Sequence, residues 1–190
     1  MKDNLIRKPQ AIQAFDNHFH LAGKNIHWSA KKFSDLKELY QNKEVAATKD
    51  DIAYRVADNI CMELRDKGIY WGYTYLEAGD VDGECNMTRG YFYQDECNEF
   101  YMGFEGEGYL IFWDGEEDYF IEEIFQGSIH WVPSKYARRL VNTGDTTLAV
   151  AMCWGYYEKI DYSRIEREGF PLRIFKRDGR IEIIEKKGDS

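Results

Sequence analysis

The chain has 190 residues, and its 34 acidic residues outnumber its 25 basic ones, which gives a formal net charge of -9 at pH 7. That length is typical of one domain with a substantial hydrophobic core, and the negative charge argues against nucleic acid and anionic membrane surfaces as partners. No apolar run approaches the roughly 20 residues that span a bilayer, and the beginning, "MKDNLIRKPQ", lacks the apolar core of a signal peptide. We therefore expect a cytoplasmic protein.

The N-terminal part contains one clear helical pattern. In "SDLKELYQN", Ser34 can cap a helix whose Leu36, Leu39 and Tyr40 share one face. The next segment, "TKDDIAYRVADN", is either a second short helix or an entering strand, and its periodicity does not decide between them.

Beyond Lys67 the sequence is typical of β structure. Turn signals such as "EAGDVDGE", "FEGEG", "NTGD" and "RDGR" recur every ten residues or so between short apolar or alternating runs, which predicts a sandwich or a barrel. Aromatic residues, 16% of the chain, suit such half-buried strands. "DGEEDYFIEE" indicates a solvated turn and an edge strand, and "FKRDGRIEIIEK" indicates a closing hairpin that turns at Asp178-Gly179.

The spacing of the cysteines and histidines does not indicate a metal or redox site. Cys61, Cys85, Cys97 and Cys153 form no C-x-x-C pair, so we expect reduced, packed thiols. His18 and His20 in "NHFH", followed by His27, have the x-His-x-His form of a metal site but no carboxylate in a recognisable motif nearby. We interpret them as surface or core histidines.

Two segments resemble the paired motifs of the cupins, which are small double-sheet β-barrels. The first is "GECNMTRGYFYQDECNEFYMGFEGEGYLIF", in which Gly106 follows Glu99 at the usual distance. The second is "QGSIHWVPSKYARRLVNTGD", in which Pro133 precedes Arg138 and Asn142. The resemblance implies a mainly β cupin jelly-roll barrel with N-terminal helical elements. We expect a single domain over residues 1–190, divided into an N-terminal arm and helix (1–50), a barrel core (67–160) and C-terminal strands (161–190).

Within the cupins, the chain resembles the archaeal-type glucose-6-phosphate isomerases, which interconvert glucose 6-phosphate and fructose 6-phosphate. Members read G-H-x-H, E-x-Y, G-x-G, V-P-(x4)-H-R-x-V-N-x-G-D and a later D-Y ahead of G-F. The matching residues here are Gly90-Tyr91-Phe92-Tyr93, Glu99-Phe100-Tyr101, Gly106-Glu107-Gly108, Val132-Pro133, Arg138-Arg139-Leu140-Val141-Asn142-Thr143-Gly144-Asp145, Asp161-Tyr162 and Gly169-Phe170. The match extends from about Lys31 to about Glu185.

The chain departs from this family at the metal site. Family members bind a divalent metal such as Fe, Mn, Zn or Ni through two histidines and a glutamate of the first motif and a histidine of the second. The corresponding residues here are Tyr91, Tyr93, Glu99 and Arg138. Neutral phenols are poor ligands for these metals, and an arginine has no free lone pair, so we expect no metal cofactor.

An ion pair can take the place of the metal. Strand alternation puts Tyr91 and Tyr93 on one face, and a following hairpin can bring Glu99 alongside them. The guanidinium of Arg138 then pairs with Glu99. Two interpretations stay open: the pair keeps the barrel core satisfied, or Arg138 engages an anionic or polyhydroxy ligand.

The resemblance also implies a sugar-phosphate pocket. The positions that match the family's phosphate site are Thr74, Thr88 and Gly90, whose hydroxyl and amide groups can donate to a phosphate. The positions that match tyrosines lining the sugar site are Tyr54, Tyr101 and Tyr162. Arg89, one residue out of step with Thr88 and Gly90, is predicted to point to the opposite face.

Three hypotheses for function follow. The first is a degenerate, metal-free relative of the isomerases of glycolysis and gluconeogenesis that binds a sugar phosphate, with Glu99 as the candidate catalytic base, although pairing with Arg138 would weaken that base. The second is a non-catalytic barrel that binds or senses another small anion or sugar. The third is an active isomerase whose ion has moved to His130 and Glu99, although His130 lies at the wrong register for a ligand. The family also implies a homodimer, with the N-terminal arm at its interface.

Overall fold

The computed structural model describes residues 13–15, 21–23, 26–59, 68–157 and 159–186. Its strands are β1 (Gln13–Phe15), β2 (Leu21–Gly23), β3 (His27–Lys32), β4 (Ile52–Asn59), β5 (Tyr70–Leu76), β6 (Asp80–Val81), β7 (Glu84–Cys85), β8 (Phe92–Tyr93), β9 (Glu99–Glu105), β10 (Gly108–Trp113), β11 (Tyr119–Ile124), β12 (Ile129–Val132), β13 (Ala137–Asn142), β14 (Leu148–Trp154), β15 (Ile160–Asp161), β16 (Leu172–Arg177) and β17 (Arg180–Glu185). Its helices are a 3-10 helix (Ser34–Leu39), α1 (Lys43–Thr48) and α2 (Ser163–Glu168).

Two facing antiparallel sheets form the barrel. One has six strands in the order β12-β9-β14-β5-β4-β3, and the other contains β11-β10-β13. Isolated bridges from Met87 to Val141 and from Tyr91 to Arg138 continue the second sheet towards β7 and β8, and β7 pairs with the terminal hairpin of β16 and β17. Both sheets contribute to one buried core, which includes Leu76 and Val150 from the first and Leu110 and Leu140 from the second. The predicted mainly β cupin barrel is confirmed.

The N-terminal helical pattern is divided in two. The cap of the 3-10 helix is Phe33 and not Ser34, which lies inside the helix and makes no capping bond, so the predicted cap is wrong. The apolar face is confirmed, because Leu36, Leu39 and Tyr40 are buried. Asn42, at the end of the predicted helix, begins the next one: its side chain accepts a hydrogen bond of 3.1 Å from the amide of Val45 in α1.

The segment after α1 is a strand. β4 pairs with β3 on one side and with β5 on the other, so its backbone groups are satisfied from both sides. β3 and β4 thereby extend the six-stranded sheet to residues that precede the predicted barrel core. Tertiary pairing, which local periodicity does not record, decides this element.

Two turn predictions are confirmed. β16 and β17 form the closing hairpin, and both of its turn residues, Asp178 and Gly179, have positive φ, as a type I′ turn requires. The acidic string forms the edge strand β11. Cys85, Cys97 and Cys153 are free thiols, whereas Cys61, His18 and His20 lie outside the described residues. In the described part of the chain, no helix is long and apolar enough to cross a membrane.

A buried glutamate joins the helical segment to the barrel. Glu84 accepts hydrogen bonds from the amide of Gln41 at 2.7 Å and from the guanidinium of Arg173 in β16 at 2.6 Å. Arg173 also donates to the carbonyl of Leu39 at 3.0 Å. One carboxylate therefore holds together the N-terminal helices, β7 and the C-terminal hairpin.

We predict that Glu84→Ala destabilises the protein by about 3 kcal/mol, because the substitution leaves a partly buried arginine and an amide without their carboxylate acceptor. Urea unfolding measures the effect as a lower midpoint at an unchanged m-value. The matched control is Glu182→Ala, which removes an exposed pair with Arg177 and should change stability by less than about 1 kcal/mol. Equal midpoints for the two variants would contradict this role of Glu84.

Candidate functional site

A cavity of about 270 Å³ lies between the two sheets, and most of the predicted site residues line it. β4, β5, β9 and β13, the chain between β7 and β8, and the residue before α2 supply them. They are Tyr54, Thr74, Thr88, Gly90, Tyr91, Tyr101, Arg138 and Tyr162. The other two predicted residues, Tyr93 and Glu99, lie behind this wall and are hydrogen-bonded to each other.

The ion pair predicted from the sequence is present and almost completely buried. Nε of Arg138 donates to Oε2 of Glu99 at 2.8 Å, and each side chain is 1% exposed. Oε1 of Glu99 accepts a hydrogen bond of 3.0 Å from the hydroxyl of Tyr91 and another from the hydroxyl of Tyr93. Three donors therefore satisfy one buried carboxylate.

The guanidinium of Arg138 has one nitrogen to spare. Nη1 donates to the carbonyls of Tyr136 at 3.1 Å and Tyr91 at 3.4 Å, and the planar group lies 4.4 Å and 4.0 Å from the ring centroids of Tyr91 and Tyr93. Nη2 is buried and has no hydrogen-bond partner among the described residues. Arg138 lines the cavity, so a bound molecule that reached this nitrogen would supply its acceptor.

Burial fixes the protonation of these groups. Burial raises the pKa of Tyr91 and Tyr93 far above that of an ordinary phenol, and the charge of Glu99 raises them further. Burial would lower the pKa of Arg138, but the surrounding tyrosines and Glu99 outweigh it, and the net shift is upward. Two neutral phenols and a permanent cation surround the carboxylate, and this set of donors does not fit a divalent metal.

The alternative site at His130 and Glu99 finds no support in the contacts. The two ring nitrogens of His130 are engaged by Glu122 at 2.6 Å and by Ser128 at 2.8 Å, and both oxygens of Glu99 are engaged as described above. Among the residues that the structure describes, no group of three or more His, Cys, Asp or Glu side chains is placed to hold a metal ion.

Arg89 lines the cavity, and the prediction that it points away is wrong. The bridged residues Met87 and Tyr91 are four positions apart, but their partners in β13, Val141 and Arg138, are only three positions apart, so the segment contains a β-bulge that resets the alternation. The guanidinium of Arg89 lies 4.1 Å from the ring centroid of Tyr162 and pairs with Glu166 of α2.

Gly90 makes this bulge possible. Its φ is +75°, a conformation that disfavours side chains, and a Cβ would lie 2.7 Å from the ring of Phe170. The Arg-Gly dipeptide inside a strand pattern was the sequence signal for the bulge.

The threonines differ in how firmly they are held. The hydroxyl of Thr88 accepts a hydrogen bond of 3.0 Å from the amide of Leu140, which orients its oxygen and leaves its proton available to a ligand. The hydroxyl of Thr74 contacts the sulfur of Met152 at 3.4 Å, a weak acceptor. A ligand oxygen would be the better partner for Thr74.

Sequence reasoning missed several residues that line the cavity, and two of them are charged. Lys31 comes from β3, and Asp58 comes from β4. Their signal was the alternation in "IAYRVADN", which places Tyr54, Val56 and Asp58 on one face as soon as the segment is known to be a strand. The remaining ones are Ser29, Val56, Leu140, Met152, Trp154, Tyr157 and Ile160.

We predict that Arg138→Met lowers the free energy of unfolding by about 3–5 kcal/mol, because it leaves the carboxylate of Glu99 buried without its cation. The double variant with Glu99→Gln should recover more than half of this loss. Chemical denaturation of wild type, both single variants and the double variant measures the coupling. Additive losses would show that the pair does not act as a unit.

Comparisons with known proteins place the chain in a family. The family model described as glucose-6-phosphate isomerase (GPI) matches residues 30–187. The glucose-6-phosphate isomerase of Thermococcus kodakarensis is 25% identical over 159 residues, which are 82% of this chain and 84% of the relative. That of Sinorhizobium medicae is 28% identical over 145 residues, or 73% and 67% of the two chains. Among solved structures, an oxalate oxidase aligns with a TM-score of 0.49 and 12% identity, covering 60% of this chain and 56% of the other. Because the family model spans most of the sequence, the chain belongs to the glucose-6-phosphate isomerase family.

Proposed function

We propose that the protein binds a hexose phosphate in the cavity and that the Arg138–Glu99 pair stands where the family holds its metal. The observation that carries this proposal is the Nη2 atom of Arg138, which is buried, has no partner among the described residues and belongs to a cavity wall. A buried charged donor without an acceptor costs free energy. Of the two such guanidinium nitrogens among the described residues, Nη2 of Arg138 and Nε of Arg139, only the first belongs to a residue of the cavity wall. An oxygen on the carbon chain of a sugar supplies the missing acceptor.

Other residues of the cavity wall can bind the phosphate group of such a ligand. Thr88 keeps its proton for donation, and Thr74 has only a sulfur acceptor. Lys31 and Arg89 add two cations that line the same cavity. Hydroxyl donors together with cations are what a phosphate dianion requires, and hexose phosphates are metabolites of the cytoplasm, where we expect the protein to act.

Binding is a better-supported role than rapid isomerisation. A base must take a proton from the substrate, but Glu99 already accepts three hydrogen bonds, one of them from a permanent cation. With both of its oxygens engaged, the carboxylate has to give up one of these bonds before it can accept a substrate proton. We infer that Glu99 anchors Arg138.

The test measures the melting temperature with glucose 6-phosphate, fructose 6-phosphate and inorganic phosphate. At about 100 times its Kd, a ligand stabilises the folded state by about 2.7 kcal/mol, which should raise the melting temperature by about 5–10 °C for a chain of this size. We expect this shift with the sugar phosphates. A shift with inorganic phosphate alone would favour the second hypothesis, a barrel for small anions.

A coupled assay for conversion of fructose 6-phosphate to glucose 6-phosphate complements that test. It is run with chelator and again with added manganese or iron, and we expect no turnover that depends on metal. Metal-dependent turnover would show that the protein is an isomerase with a relocated ion.

We also infer that a second copy of this chain covers the outer face of the six-stranded sheet. Ile129 and Trp131 of β12 are 68% and 57% exposed, and their register partners Met102 and Phe100 in β9 are 40% and 56% exposed. The two aromatic side chains alone expose roughly 200 Å². Together the four residues form an apolar patch of the size that marks an interaction site, and a twofold pairing of such patches would form the apolar core of a standard interface.

We predict that Trp131→Glu converts a dimer to a monomer without unfolding it, because the substitution puts a charge within the apolar patch. Sedimentation velocity gives the mass of each species, and circular dichroism checks the fold. Phe125→Glu is the control, since Phe125 is also exposed but lies outside these two strands. A wild-type monomer at micromolar concentration would contradict the inference.

A further inference from the structure

Asp58 is the carboxylate that lines the cavity and faces a bound ligand. It lies on the cavity-facing side of β4 and lines the wall together with Lys31, Arg89 and Arg138. Among the described residues that line the cavity, Asp58 is the one acidic side chain. Glu99, the acidic residue that the sequence singles out, lies behind this wall. The two carboxylates therefore have different access to a ligand.

The structure leaves Asp58 room for a partner. Its neighbour in β5 is Gly72, and its neighbour in β3 is His27. Gly72 has no side chain, and a Cβ built there would lie 3.0 Å from the ring of Trp154. The indole ring of Trp154 therefore borders the space next to Asp58. Tyr157 is near enough for the charge of Asp58 to raise the pKa of its phenol, after the larger effect of burial.

Asp58 lacks the hydrogen-bond partners that the buried carboxylates Glu84 and Glu99 have. Its Oδ1 atom is buried and accepts no hydrogen bond from any described residue. Burial raises its pKa, and the nearby His27 only opposes this shift. Glu84 and Glu99 are each satisfied by two or three donors. A buried acceptor without a donor costs free energy, so the fold gains nothing visible from an aspartate here.

The charge of Asp58 discriminates between possible ligands. A bare phosphate ion is attracted by Lys31 and Arg89 but repelled by a carboxylate in the same cavity. A phosphorylated polyol binds the same cations through its phosphate and offers hydroxyl protons elsewhere. Such a hydroxyl group would form a charge-assisted hydrogen bond with the unpartnered oxygen.

We propose that Asp58 is a specificity-determining residue that accepts a hydrogen bond from a hydroxyl group on the carbon chain of the bound sugar phosphate. The cavity thereby selects a phosphorylated polyhydroxy compound over phosphate itself. This assignment rests on the proposed function, and it places the selection for hydroxyl groups on a residue outside both motifs of the family.

Isothermal titration of glucose 6-phosphate and of inorganic phosphate into wild type, Asp58→Asn and Asp51→Asn tests the assignment. Asp51 is exposed immediately before β4, so Asp51→Asn changes the charge equally without touching the cavity. We expect Asp58→Asn to weaken glucose 6-phosphate binding by about tenfold or more, the usual effect of losing a charge-assisted hydrogen bond. Its affinity for inorganic phosphate should stay equal or increase, and Asp51→Asn should change neither affinity.

The melting temperature of the free protein separates this role from a structural one. Asp58→Asn should melt at the same temperature as wild type or higher, because it removes a half-buried charge whose buried oxygen accepts no hydrogen bond from a described residue. Glucose 6-phosphate binding within twofold of wild type in this variant would overturn the assignment and leave the proposed function intact. Failure of wild type to bind either hexose phosphate would overturn the proposed function and the assignment with it. Asp58→Ser provides the same comparison if the asparagine variant does not fold.

Discussion

The buried pair between Arg138 and Glu99 determines what the rest of the barrel can do. A divalent metal held by one carboxylate leaves a net positive charge at the bottom of a pocket, whereas an arginine held by one carboxylate leaves none. Any attraction for an oxyanion must therefore come from elsewhere. Lys31 is the cation of the cavity wall that no described acidic residue pairs, whereas Arg89 already pairs with Glu166. The pair itself offers a ligand one directed hydrogen-bond donor.

The same pair accounts for the two tyrosines beside it. Their hydroxyls complete the coordination of Glu99, and their rings cover the guanidinium. Each phenol is held neutral by burial and by the carboxylate next to it. The four positions are consequently coupled, because a change at any one of them leaves a buried charge or a buried hydroxyl of another without its partner.

The sequence allowed the barrel and the ion pair to be predicted, because both depend on local patterns: turns at regular intervals, strand alternation and residues at motif positions. It did not reveal features that depend on pairing across the fold. The segment 52–59 became a strand only through its two neighbours, and the bulge before Tyr91 turned Arg89 inward against its alternation. Asp58 was missed for the first of these reasons, since its face is defined only once β4 is a strand. The spare nitrogen of Arg138 was beyond prediction, because it depends on which acceptors the folded chain brings within reach.

The two interpretations of the ion pair can now be weighed by what the cavity leaves unpaired. A pair that existed only to satisfy the core would give no reason for unmatched groups to gather at one cavity; elsewhere the described residues contain a single buried, unmatched atom of a charged group, Nε of Arg139. The cavity wall, by contrast, contains a buried cation with an unpartnered nitrogen and a carboxylate with an unpartnered oxygen among the described residues. Each of these unpartnered atoms destabilises the ligand-free protein. The nitrogen of Arg138 is a hydrogen-bond donor, and the oxygen of Asp58 is an acceptor. A chain of adjacent hydroxyl and carbonyl groups would meet both demands at once, and this supports the proposal of a polyhydroxy ligand over that of a repaired core.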